Sequence, residues 1–420
     1  MRILIAGNSA AGVSCAKTVR RLKPEAEVTI VSDEAVPYYS RCLLSYYLSG
    51  EITKNQMIIH DRKWYSDNRI ELVTNDKVVE INPQKCKALL KNDKKINYDA
   101  FVLATGSSAV LIPIQGIDTA GVFSLRNLEH AEKIQHFLRN YHPRKAVILG
   151  AGFIGLKAAY ALRVRGLEVT VVEKLPQIMP KMLDKKGSGI VSSFLAKHGI
   201  KIKIDTSIAE IISQNKRISS IKLSNNKKLP CDILIVAVGV KPNTESLHDS
   251  DIIDAKKGIY TNQYMKTSFK NIYACGDVAV TKDIVSEEYT INALWFNAVQ
   301  QGRIAGYNIM GEERKYKGSL AANAVDFYGF PVIAVGSVDI KDNCEILARY
   351  NARERIYKKL VVKNERLVGA LFIGNVEEAG VYTTLIRNRN IISGSYKENI
   401  IENPWNYPLK LYNAVLKSDS

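Results

Sequence analysis

The stretch Lys145-Ala-Val-Ile-Leu-Gly150-Ala-Gly-Phe-Ile-Gly155, followed by an apolar run to Arg165 and by Glu168-Val-Thr-Val-Val-Glu173, decides the fold. The short apolar run before Gly150 reads as a buried parallel strand, the glycines as a turn, the next segment as a helix, and Glu168–Glu173 as a second strand. Each glycine has a task. Gly150 permits the tight turn, Gly152 lets backbone approach a pyrophosphate, and Gly155 lets the helix pack on the strand. The helix N-terminus adds free N–H groups and a positive dipole end. Glu173 stands 23 positions after Gly150, where a carboxylate accepts from both ribose hydroxyls of an adenosine. It would repel a 2′-phosphate, so NADH is expected over NADPH, a preference that Lys174 blunts.

A second copy opens the chain. Arg2-Ile-Leu-Ile-Ala leads into Gly7-Asn-Ser-Ala-Ala-Gly12, a helical run to Leu22 and the strand Val28–Ser32. It departs from the first pattern in two ways. Ser9 replaces the middle glycine, and Ser32 falls where the ribose carboxylate is expected, so that Asp33 or Glu34 must serve, with Glu34 slightly preferred. Two later strands end at glycines, Tyr98–Gly106 (with Thr105 beside Gly106) and Cys231–Gly239, as strands passing under a nucleotide should. A third, Thr267–Asp277, ends in Gly276-Asp277, and a helix begins near Leu294 and runs to about Met310.

The last hundred residues change character. Val332–Val338, Glu345–Tyr350, Ile356–Val362 and Leu367–Ile373 read as an antiparallel meander, with a helix at about Glu377–Arg389 and no dinucleotide signature. An α+β interface domain is expected there.

Composition bounds the partners. The 420 residues are 46% apolar and 24% charged, which argues against extended disorder and fibrous repeats. No apolar run approaches the roughly 20 residues of a spanning helix, and the chain opens on a strand, so a soluble, cytoplasmic protein with no membrane span is expected. Lys plus Arg is 59 against 42 acidic residues, a net +17, and residues 1–319 carry most of the excess with 46 basic and 31 acidic side chains. Such a field favours an acidic partner. Without an RNP-like motif, zinc finger or basic arm, nucleic acid is not expected. The six cysteines include no Cys-x-x-Cys, so neither a metal site nor a paired-cysteine redox centre is expected, and Cys15, Cys231 and Cys275 read as small buried hydrophobes. The histidines (His60, His130, His136, His142, His198 and His248) are scattered as surface or cap residues would be.

Two dinucleotide units, an Ala-Thr-Gly106 strand end and a late Ile-Tyr-Ala-Cys-Gly276-Asp277 together resemble the pyridine nucleotide–disulfide oxidoreductase superfamily over essentially the whole chain. The resemblance implies an α/β chain with two Rossmann-like domains of the three-layer ββα type and a C-terminal α+β interface domain that makes a homodimer. It implies FAD on residues 1–112 plus 244–316, NADH on 113–243, and the interface domain at 317–420. Asp277 would then accept from a ribityl hydroxyl of FAD, and the helix at Trp295 would point its N-terminus at the flavin pyrimidine.

Within that superfamily, Pro37-Tyr-Tyr-Ser-Arg-Cys-Leu-Leu-Ser-Tyr-Tyr-Leu-Ser-Gly50 discriminates. Pro-Tyr-x-x-Arg followed by Leu-Ser is similar to nitrite-reductase flavin domains, NADH:rubredoxin reductases and ferredoxin reductases of ring-hydroxylating oxygenases, which implies Arg41 on the FAD pyrophosphate. The same segment resembles the coenzyme A-disulfide reductase, NADH oxidase and NADH peroxidase branch, which places Cys42 on that branch's single redox cysteine, although Leu43 follows where glycine is usual. Ferredoxin-reductase-like members place a lysine near flavin N5 where Tyr46 stands, and the glutamate usual in the NAD motif is Lys157. Lys157 is therefore expected at the flavin–nicotinamide junction. Two functions follow: electron transfer from NADH through FAD to a small acidic iron–sulfur protein or partner subunit, or thiol-redox chemistry at Cys42 on a disulfide, polysulfide or oxygen species. A flavin-binding subunit of a larger complex is a third reading.

Overall fold

The computed structural model describes residues 1–245, 253–254, 258–339, 343–392 and 394–406; His248 lies outside the described residues. The chain divides into two compact units, Met1–Ile178 with Phe194–Ser319, and Met179–Ser193 with Leu320–Ser420.

The first unit holds two parallel sheets. One places Ile272–Ala274, Ala100–Leu103, Arg2–Ala6, Glu27–Val31 and Ile70–Val73 side by side in that order. Its inner strands are apolar at nearly every position because both faces are covered, as in all-parallel sheets generally. Parallel registry from Arg2↔Glu27 to Ala6↔Val31 brings the Gly7 turn and the Ser32–Glu34 loop to the same sheet edge. The other sheet centres on Lys145–Leu149, with Glu168–Val172 and Ile200–Lys203 on one side and Ile233–Val236 and Val122–Ser124 on the other. Each fold also carries a three-stranded antiparallel sheet, Val78–Asn82/Lys87–Leu90/Lys95–Asn97 in the first and Ile208–Gln214/Arg217–Leu223/Lys228–Pro230 in the second.

Two helices of the first fold, Ala10–Leu22 and Trp295–Ile309, meet backbone to backbone. A Cβ on Gly302 would stand 2.1 Å from the Ala11 carbonyl oxygen, and one on Gly306 would stand 2.8 Å from Thr18 Cβ. Only glycine allows that approach. Contacts rise together along both chains, so the helices run parallel, with Ala11 level with Gly302. The chain passes between the two folds twice, through Ser107–Ala109 and Val240–Pro242, which pair antiparallel. Thr105 Oγ1 donates to the Asn243 carbonyl at 2.6 Å, and Asn243 Nδ2 returns a bond to the Thr105 carbonyl at 3.0 Å.

The second unit is built on a five-stranded antiparallel sheet ordered Ala322–Phe327, Phe330–Gly336, Arg366–Ile373, Ile356–Lys363 and Glu345–Asn351, with helix Ala379–Arg387 on the Arg366–Ile373 strand. The first strand is absent from the sequence reading. Asn323 and Asp326 weaken its β signal, and what makes it a strand is the hairpin turn Tyr328-Gly329, both residues at positive φ, which pairs it with Phe330–Gly336. The next strand ends at Gly336, two residues before Val338. Asp184 is buried in this unit, where it accepts from Lys359 Nζ at 2.9 Å, Tyr357 Oη at 2.8 Å and the Gly187 N–H at 2.8 Å. Burial opposes its charge, but these donors hold the carboxyl below the usual range.

Among the described residues, no helix is long and apolar enough to cross a membrane, and no group of three or more His, Cys, Asp or Glu could hold a metal ion. Cys15, Cys231 and Cys275 are buried. His60 differs from the expectation of a plain surface residue: it stacks on Trp64, ring centroids 4.0 Å apart.

Candidate active site

Both glycine turns take the same shape. Gly7 and Gly150 have φ of 125° and 104°, and a Cβ on either would strike a strand carbonyl, that of Ala104 at 2.0 Å or Ala237 at 2.4 Å. The third glycines, Gly12 and Gly155, are equally closed, since a Cβ would lie 2.0 and 1.9 Å from the carbonyl oxygens of Gly7 and Gly150. Gly152 differs. It caps the helix Phe153–Val164, and nothing lies within 4 Å of where its Cβ would be, which leaves room for a phosphate at the helix N-terminus. Ser9 occupies the matching cap of Ala10–Leu22, and its hydroxyl makes no capping bond to the helix. Gly106 and Gly239 also face open space.

Glu173 sits at the lip of the second turn. Its carboxylate accepts from the Ala151 N–H at 2.7 Å and the Leu175 N–H at 2.9 Å. In the first fold Asp33 is exposed, whereas Glu34 is half-buried and engaged: one oxygen accepts from Arg41 Nη2, the other from Tyr39 Oη at 2.6 Å. The structure thus joins two residues expected to hold different parts of FAD. Burial pushes the Tyr39 phenol up, and its oxygen also accepts from the Leu128 N–H at 2.9 Å.

Arg126 extends this network. Its carbonyl accepts from Arg41 Nη1 at 3.3 Å, and its Nη2 donates to Asp277 Oδ2 at 2.6 Å and Ser107 Oγ at 2.7 Å. Its Nε donates to the Ser107 carbonyl at 3.0 Å. Gly276 presents its N–H to Gln301 Oε1 at 2.8 Å. Sequence reasoning missed Arg126, Ser107 and Tyr39. One signal was available: Arg126 directly precedes Asn127, the cap of helix Leu128–Tyr141, where a cation opposes the helix dipole and so needs another reason to be there.

Cys42 lies in the 3₁₀ turn Arg41–Leu43 and is exposed, yet neighbouring protein desolvates its sulfur enough to raise the thiol above its ordinary value. A hydrogen bond involving Ser40 and the positive charge of Arg126 pull the other way without overcoming it. Trp295 opens its helix half-exposed, its Nε1 donating to Tyr38 Oη at 2.9 Å. Lys157 is buried, its ammonium 4.1 Å from the centroid of the Tyr46 ring and 4.4 Å from that of Tyr160. Tyr160 Oη donates to Glu51 at 2.9 Å. Lys157 therefore joins the helix Leu44–Ser49, next to Cys42, to the helix that follows the second glycine turn.

The first fold also carries three buried side-chain polar atoms with no partner in the chain: Tyr98 Oη in the core, Asn8 Nδ2 in the glycine turn and Asp76 Oδ2 beyond the ends of the second and third strands. Such atoms are rare in folded proteins and call for a partner, whether water or a ligand. Two glycine turns of the same shape at helix N-termini, with Glu173 at one strand end and the orphaned Asn8 and Asp76 groups by the other turn, fit two dinucleotides.

The fold and site define a two-dinucleotide flavoprotein, and the comparisons agree. Residues 1–302 match the family described as pyridine nucleotide-disulphide oxidoreductase, and residues 322–390 match the rubredoxin NAD+ reductase C-terminal domain. The chain belongs to the pyridine nucleotide-disulphide oxidoreductase family, whose members use FAD and NAD(P)H. It is an NAD(P)H-dependent oxidoreductase. It is 35% identical over 322 residues to an NADH oxidase of Methanocaldococcus jannaschii, covering 75% of this chain and 71% of that one. It is 30% identical over 377 residues to the NADH-rubredoxin oxidoreductase of Clostridium acetobutylicum, covering 89% and 91%. Among solved structures, the ferredoxin reductase for the CYP199A2 system of Rhodopseudomonas palustris superposes with a TM-score of 0.88 at 26% identity, over 98% of this chain and 99% of that one.

Proposed function

We propose that this chain passes electrons from NADH through FAD to a small acidic iron–sulfur protein or a partner subunit. The observation that carries the choice of acceptor is the state of Cys42. Desolvation raises its thiol above the ordinary value and no second cysteine stands beside it in sequence, whereas redox thiols are favoured by a lowered thiol pKa and a partner cysteine. The excess of basic residues in the first 319 supports an acidic partner.

FAD, when bound, accepts a hydride and can release electrons one at a time. The chain's own residues place it. In this reading residues 1–112 and 244–316 hold FAD, with the Gly7–Gly12 turn and Arg41 on the pyrophosphate and Asp277 on the ribityl chain. Residues 113–243 hold NADH, with Gly150–Gly155 on its pyrophosphate and Glu173 on its ribose, and residues 317–420 form a homodimer interface. Lys157 fixes the seam between the two sites, and so the approach of the coenzyme, by holding Tyr46 and Tyr160.

The second reading makes Cys42 the electron exit, and its exposure beside Arg126 favours it. A Cys42→Ser substitution separates the two. If NADH-driven reduction of ferredoxin- or rubredoxin-type acceptors persists and falls steeply with added salt, the first reading stands. Selective loss of disulfide, polysulfide or peroxide turnover overturns it.

A further inference from the structure

We propose that Asp76 recognises the adenine of FAD by accepting a hydrogen bond from its exocyclic amine, so that the site selects the base as well as the flavin. The inference rests on the FAD assignment and adds a residue to it.

Asp76 is 6% exposed, and its Oδ2 has no partner in the chain. The rest of the residue is firmly tied. Its Oδ1 accepts from the Lys77 N–H at 2.8 Å, and its N–H donates to the Ser32 carbonyl at 3.0 Å. The Ser32 N–H in turn donates to the Val73 carbonyl at 2.8 Å. The carboxylate is thus pinned where the loop after Glu27–Val31 meets the loop after Ile70–Val73. A buried carboxylate oxygen left without a donor is costly, so a group that supplies one binds strongly there.

Topology names the group. In a parallel nucleotide fold the pyrophosphate lies on the first glycine turn, at the end of Arg2–Ala6, and the ribose reaches the end of the neighbouring strand, Glu27–Val31. The base continues in the same direction, away from the phosphates, and the next strand in the sheet is Ile70–Val73. Adenine offers one amine there, its N6 group, and that amine donates where Asp76 Oδ2 accepts. The orphaned Asn8 Nδ2 lies in the glycine turn, at the phosphate end, where a donor suits an anion. Of the unpartnered atoms in this fold, the two that lie at strand ends, Asn8 Nδ2 and Asp76 Oδ2, therefore have opposite polarity, as opposite ends of one adenosine diphosphate require.

The test uses the apoprotein and follows quenching of flavin fluorescence on titration with FAD and with an FAD analogue carrying purine in place of adenine. The wild-type chain is expected to bind FAD about tenfold to a hundredfold more tightly than the purine analogue, the range for one bond to a charged acceptor. In Asp76→Asn the retained oxygen keeps the Lys77 contact and turns an N–H toward the amine. FAD affinity should fall at least tenfold while the purine analogue changes less than threefold. Circular dichroism of apo Asp76→Asn identifies misfolding, and Asp76→Ser, which can still accept from the Lys77 N–H, then replaces it. Equal binding of the two ligands by the wild-type chain, or unchanged FAD affinity in a folded variant, overturns the inference. If neither flavin binds, the FAD assignment itself fails.

Discussion

Replacing Arg126 by methionine keeps the aliphatic stem and removes the guanidinium that joins Asp277 to Ser107. Both partners of the ion pair are about one-fifth exposed, with side-chain exposures of 19% and 18%, so solvent screens them little. Stranding a buried carboxylate in this way costs about 3–5 kcal/mol. The Ser107 hydroxyl, 3.1 Å from Asp277 Oδ2, and the remaining exposure lower that to about 2–3 kcal/mol, and the Ser107 carbonyl loses a donor worth about 1 kcal/mol. The expected loss is about 3 kcal/mol, which in a unit of roughly 300 residues lowers Tm by about 5 °C. Thermal unfolding of Arg126→Met, Asp277→Asn and the double variant, with and without FAD, measures it. The cycle should show a coupling of about 2 kcal/mol, because Asp277→Asn removes the charge that Arg126 serves. A Tm within 1 °C of wild type, or a coupling below about 0.5 kcal/mol, would refute the claim that this pair holds the site together.

Gly302→Val drives a branched side chain into the Ala11 carbonyl and should cost at least 1–3 kcal/mol as overpacking, whereas Gly189→Ala, at an open and exposed helical site, should be neutral or stabilising by up to about 1 kcal/mol. Paired melting curves check both. Because desolvation raises the Cys42 thiol, its alkylation by iodoacetamide should climb with pH and reach half-maximum above the pH found for free cysteine in parallel. Arg126→Met, which removes a charge favouring the thiolate, should shift that midpoint further up, and a midpoint below that of free cysteine contradicts the assignment. Lys157→Met removes a buried cation from two aromatic faces, about 2 kcal/mol of contact. Rapid-mixing experiments should show flavin reduction by NADH slowed about tenfold or more, with FAD content unchanged.

Much of the architecture was legible because it rests on local chemistry. The turns at Gly7 and Gly150 announce themselves, since few sequences put apolar strands directly before glycines at that spacing. The strand Ala322–Phe327 was not legible, because its polar residues signal nothing until the turn at Tyr328-Gly329 pairs it. The site divides the same way. Glycines and strand-end carboxylates carry positional meaning along the chain, but the Arg126–Asp277 pair spans 151 positions and the contact of Tyr46 with Lys157 spans two folds. Asp76 belongs to none of the sequence motifs. Only the burial of its unpaired oxygen marks it, and no local pattern encodes burial.

The glycine seam between the two parallel helices has a consequence for the dimensions of the ligand. With Ala11 level with Gly302, Trp295 projects about 9 Å past the start of the first helix, six residues at 1.5 Å each. Backbone contact fixes that stagger as a ruler between the two helix tips, one at the Gly7–Gly12 turn and one opening at Trp295. A ligand touching both tips must span that stagger, since a slide of one helix along the other would bring a side chain against a carbonyl where Gly302 now passes.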